Sequence, residues 1–229
     1  MNELESWKKS LSKYNWTVDL SNYPYGHIYD GYFNQVVNNK NTIAFEDRFR
    51  SSINSDTFVV ASEVCYWKNY GSHTSRDKLT NNLLKLLAEK NNWIEFKNRL
   101  IELASKPTYH NIEFFRMACG QPYGFATPVT FLSFYNPTLY PMVDKIIGKW
   151  WNRNKSTYWK TSASSFFQRS DGWLGLNEQN WTTYLEWTNF CREYSNFLSS
   201  KSGEQWRARD VEIAVWEAEK RDLTLNTLT

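Results

Sequence analysis

Cysteine is scarce in this chain, and its scarcity excludes a good deal. Cys65, Cys119 and Cys191 are odd in number and widely spaced, so the sequence writes neither a disulfide framework nor a four-cysteine metal site. An iron–sulfur cluster held by four thiolates is excluded by count. Histidine is equally rare: His27, His73 and His110 stand apart without the spacing of metal ligands. No metal is therefore expected. No apolar run approaches the length of a membrane span. The opening segment, MNELESWKKSLSKYNW, is charged and lacks the apolar core of a secretion signal. Charge of one sign is lacking too: 27 Lys and Arg against 24 Asp and Glu leave a net charge of +3, which permits a polyanionic partner without requiring one. Strand-like alternation is sparse, and there is no internal repeat and no low-complexity linker. These absences lead us to expect a reduced, soluble, monomeric protein of the cytoplasm, nucleoid-associated in a prokaryote, with no membrane partner.

What the chain has is aromatic rings. Phe, Trp and Tyr make up 17% of its 229 residues, and 12 of them are Trp. Such a supply either fills a large core or leaves rings exposed to stack on bases or bind another apolar partner. The apolar residues recur mostly at helical spacing. Residues 1–15 place Leu4, Trp7, Leu11 and Tyr14 on one face. Residues 16–42, rich in Asn, Tyr, Pro and Gly, read as loop. Helices follow over IAFEDRFRSSI, SDTFVVASEVCYWKNY with Asp56 near its start and a nearly all-apolar body, TSRDKLTNNLLKLLAEK with a Ser or Thr cap, WIEFKNRLIELAS ending before Pro107, and NIEFFRMACG closed by Gly120. After the polar stretch NRNKSTYWKTSASSF, expected to be loop, NEQNWTTYLEWTNFCREYSNFLSS and EQWRARDVEIAVWEAEKRD are helical. In the last, Arg207, Arg209 and Asp210 read as phosphate ligands or as an intramolecular ion pair. The fold class is all-α.

The segment GFATPVTFLSFYNPTLYPMVDKIIGKWW, residues 124–151, concentrates the chemistry. Gly120 and Gly124 frame a short turn between two helices. Such a turn aims backbone N–H groups at an anion at the start of the second helix. Thr127 is placed to cap that helix and Pro128 to occupy its first turn. Twenty residues after Gly124, Asp144 opens the basic, tryptophan-rich helix KIIGKWW. There it can serve as the helix cap, as a catalytic carboxylate, or as both.

Gly124, Thr127, the run Val129 to Phe134, Pro141, Val143 and Asp144 match in type and order the motif of the helix-hairpin-helix DNA glycosylases, and the chain resembles that superfamily over about 30 residues. The resemblance implies a two-lobed all-α fold: a central lobe over 51–148, a second lobe from 1–50 plus 149–229, and an active site in the cleft between them. It implies a substrate, double-stranded DNA with a damaged or mismatched base, and no cofactor. Asp144 would stabilise the sugar cation or orient water. Tyr123, Gly124, Ala126, Thr127, Lys145 and Lys149 would hold the DNA backbone. The hairpin departs from the usual Gly-apolar-Gly by reading Pro122-Tyr123-Gly124. Ala126 stands where lyase-type members carry a lysine, which implies base removal without strand cleavage. Ser62-Glu63-Val64 is similar to the Ser-Glu-Val of adenine-removing members, which makes Glu63 a candidate acid for the leaving base. Read as structure instead, Glu63 sits at a helix rim, in water or salt-bridged. The aromatic residues of 20–35 and of YWKTSASSFF would fill the gap left by an extruded base or stack on it. Two alternatives accompany the monofunctional glycosylase: a non-catalytic helix-hairpin-helix DNA-binding protein, and a helical protein-interaction domain.

Overall fold

The computed structural model describes residues 3–23, 28, 29, 32, 33, 35–121 and 124–226. The fold is all-α. Ten α-helices carry it among the described residues, with one antiparallel pair of two-residue strands, β1 (Val18–Asp19) and β2 (Val36–Val37). None of these helices is long and apolar enough to cross a membrane. The chain forms two compact units, one continuous over Asn15–Asn136 and one assembled from Met1–Tyr14 and Pro137–Thr229.

The continuous unit holds α2 (Thr42–Ile53), α3 (Val59–Lys68), α4 (His73–Leu87), α5 (Lys90–Ser105), α6 (Tyr109–Ala118) and α7 (Ala126–Tyr135). Helices α3 and α7 are apolar all round, and a helix with no polar face must be enclosed. Every residue of Val59–Trp67 and of Thr127–Phe134 is buried. Phenylalanines from four helices meet there: Phe49, Phe96, Phe115 and Phe131, with centroids 5.0–6.1 Å apart, pack edge-on, tilted or stacked.

The second unit contains α1 (Glu3–Leu11), α8 (Lys145–Tyr158), α9 (Glu178–Ser202) and α10 (Ala208–Arg221). The tryptophans are chiefly its core. Trp151, Trp187 and Phe190 pack at 5.3–5.6 Å, and their buried indole N–H groups find carbonyls, Trp151 at Ser164 (2.9 Å) and Trp187 at Met142 (3.0 Å). Arg207 and Asp210 form the expected ion pair at 2.7 Å and box the start of α10.

Three expectations are corrected. The border between units lies at 14/15 and 136/137 rather than at 50/51 and 148/149. Segment 15–50 belongs with the central helices because Tyr23 bonds Ser62 (2.8 Å) and Trp16 packs edge-on against Trp67 (6.3 Å). Segment 137–148 belongs with the termini because the amides of Ala208 and Arg209 donate to the carbonyls of Thr138 and Pro137 (3.2 and 3.0 Å). The polar stretch after Trp151 is not all loop: α8 continues to Tyr158. Asn152 makes the tertiary contact that holds it, bonding the backbone N–H and C=O of Phe166 (both 2.8 Å).

Candidate active site

Asp144 is built into place by the segment before it. Tyr184 donates to the carbonyl of Pro141 (3.0 Å) and Trp187 to that of Met142, while Met142 and Val143 are buried. The chain therefore reaches α8 along a fixed path. At its end the Asp144 carboxylate caps the helix, its Oδ1 accepting from the amides of Ile146 (2.9 Å) and Ile147 (3.1 Å). From α10 the indole N–H of Trp216 donates to Oδ2 (3.1 Å). The side chain is half-buried. Three N–H donors from two helices thus set the plane of one carboxylate, which presents negative charge in a fixed direction.

Lys145 and Lys149 follow on the same helix, both exposed. Lys149 pairs with Glu219 (3.4 Å), which also takes Arg153. The ammonium of Lys145 lies 4.6 Å above the ring of Trp173. With Ile146, Gln168, Gly172, Glu219 and Lys220 these two lysines line a pocket of about 360 Å³. So Asp144, Lys145 and Lys149 come together at the head of α8, beside a basic pocket.

The turn between α6 and α7 belongs to the central unit. Gly120, at φ +63°, ends α6 with paired bonds from the amides of Gly120 and Gln121 to the carbonyls of Met117 and Arg116. The Arg116 guanidinium returns to the carbonyl of Gln121 (3.1 Å). At Gly124 the Gln121 side-chain amide lies where a Cβ would stand, so a larger residue there would displace the end of that side chain. Phe125, not Thr127, is the N-cap of α7, and no side chain caps it. Thr127 is buried, and its hydroxyl accepts from Gln121 and Asn69 (both 3.1 Å). The expected cap is thus corrected: the threonine ties the turn to α3 instead. Ala126 is the first, half-buried residue of the helix. Tyr123 lies outside the described residues.

Glu63 is not at a helix rim. Its side chain is fully buried on α3. Oε1 accepts from the Phe33 amide (2.6 Å), while Oε2 stands 3.8 Å from Arg48 Nε and has no hydrogen-bond partner among the described residues. Nε and Nη2 of Arg48 are likewise without one, and the guanidinium lies 5.1 Å over the Phe33 ring. Burial raises the carboxyl pKa from 4.5 to about 7, against the Phe33 N–H and Arg48, which pull it down. A buried acid held near neutrality, with one oxygen unpaired among the described residues, makes Glu63 a candidate for a functional role.

Arg48, Trp173, Trp216 and Lys220 were not visible as site residues in the sequence. Arg48, Trp173 and Trp216 stand far along the chain from Glu63, Lys145 and Asp144, while Lys220 packs on Trp216 of its own helix and reaches the pocket only through the fold. Compared with protein-family models, curated proteins and solved structures, the chain shows no match.

Proposed function

We propose that the protein is a monofunctional DNA N-glycosylase that removes a damaged or mismatched base from double-stranded DNA, turning the target nucleotide out of the duplex first. The observation that carries this reading is Asp144, a carboxylate oriented by three N–H donors at the head of a basic helix. When the bond from C1′ to the base nitrogen breaks, the bonding pair leaves with the base and C1′ becomes positive. A fixed carboxylate stabilises that charge without having to reorient. Water then adds its oxygen to C1′ and gives up a proton, and the base departs carrying one. An acid still protonated near neutral pH assists that departure, and Glu63 matches this requirement in kind. Lys145 and Lys149 supply the positive charge that phosphates need. With Ala126 opening α7 and no lysine in the turn before it, no Schiff base forms and the strand stays intact.

The test is a panel of duplexes carrying uracil, hypoxanthine, 8-oxoguanine, alkylated adenine and A·G mismatches, each read with and without alkali. Wild type should give alkali-dependent breaks at a modified or mismatched base, and Asp144→Asn should give none while binding DNA as before. Asparagine caps a helix about as well as aspartate, so the variant folds. A non-catalytic DNA-binding protein would give no breaks and salt-sensitive binding in both proteins.

A further inference from the structure

The pocket beside α8 has features that a grip on backbone phosphates does not need. Its far wall is a tight hairpin, bridged at Gln168 and Leu174. Gly172 turns its tip at φ +78° and donates to the carbonyl of Arg169 (2.8 Å). The amide of Trp173 is held by Asp171 (3.2 Å). This hairpin presents Trp173 with half its surface exposed, and Phe167 at 58%. A tryptophan ring held out on a braced turn offers a face on which a base can stack. Trp173 stands beside the pocket and meets its lining at Lys145, whose ammonium lies over the ring; Lys149 on α8 and Lys220 on α10 line the pocket with Glu219, while Asp171 on the hairpin is paired with Arg169. The pocket's volume of about 360 Å³ suits one small ligand, not a folded partner.

We infer that this pocket is a subsite for one unpaired nucleotide of a DNA strand. Its base stacks on Trp173, its edge is offered the Gln168 amide, and its phosphates lie against Lys149 and Lys220. An aromatic platform among lysines is the pattern by which single strands are held regardless of sequence. The amides at the head of α8 take no part, because Asp144 already occupies those of Ile146 and Ile147. The inference rests on the reading of DNA as substrate given above, yet it needs no base excision.

The experiment is fluorescence anisotropy of a labelled, undamaged single-stranded thymidine oligonucleotide, titrated with the full chain at several salt concentrations. Trp173→Ala should weaken binding about fivefold to a hundredfold, the span of one base stack, and Trp173→Tyr should restore most of it. Lys220→Gln should flatten the log–log salt slope by about 0.7, one phosphate of a single strand. Trp173→Ala binding within about twofold of wild type would overturn the subsite, as would an unchanged slope in Lys220→Gln. The same proteins are run on the duplex panel. Excision with unaltered Trp173→Ala binding keeps the glycosylase and removes the subsite. Weakened Trp173→Ala binding with no excision by wild type does the reverse.

Discussion

Burying Glu63 beside one N–H donor and a guanidinium 3.8 Å away leaves its charged form under-compensated, and the fold therefore favours the protonated acid. Because its pKa is about 7 in the fold against 4.5 ordinarily, the stability it lends is full below about pH 4.5 and is lost as pH rises through 7. The difference amounts to roughly 3 kcal/mol. Glu63→Gln keeps an acceptor for the Phe33 amide and should remove this dependence, so that melting temperatures at pH 5 and pH 8 draw together; an unchanged gap would refute the assignment. Trp216 offers a second test. Trp216→Phe keeps a ring against Tyr14 and Lys220 but deletes the donor to Asp144. Loss of a hydrogen bond to a charged group predicts a fall in excision rate of about tenfold to a hundredfold, with DNA affinity held. Equal rates would show that the indole does not orient the carboxylate. At this scale Asp144 as helix cap was legible, since Asp before an apolar turn is a local signal. Trp216 was not, because 72 residues separate it from its partner.

At the scale of elements, α3, α7 and α9 could be read from their apolar content and their spacing of rings. The end of α8 could not. NRNKSTY has no apolar stripe of its own, and its helix is completed by Asn152 on Phe166 and by Tyr158 packing 5.2 Å from Trp150. The turn before α7 was legible from Gly120, whose positive φ any other residue would resist, whereas the inward Thr127 depends on Asn69 on the far side of α3's end. The same dependence on distant partners predicts where rigidity at Asp144 comes from. Trp187→Phe should lose the bond to Met142 and leave a gap in the aromatic core, at a cost of about 2–3 kcal/mol in denaturant unfolding. It should slow excision more than it weakens binding, because it loosens the path into α8. Unaltered stability would mean that this path is held elsewhere.

For the whole molecule, a net charge of +3 is too small to draw DNA by itself, so the proposed function requires local clusters such as Lys145, Lys149 and Lys220 to supply the affinity. Duplex binding should therefore weaken steeply with salt, and Lys149→Gln should reduce the log–log slope by about 0.9, the share of one duplex phosphate. The all-α class was legible in the sequence. The borders were not, since residues 15–50 are recruited by Ser62, Glu63 and Trp67, and residues 137–148 by α9 and α10. The most direct measurement of the central claim is mass spectrometry of free bases released from deaminated, oxidised and alkylated duplex DNA. The account predicts that wild type liberates a modified base into solution, leaves the strand uncut, and loses this ability entirely in Asp144→Asn. Release of no base by wild type, or equal release by Asp144→Asn, would contradict it.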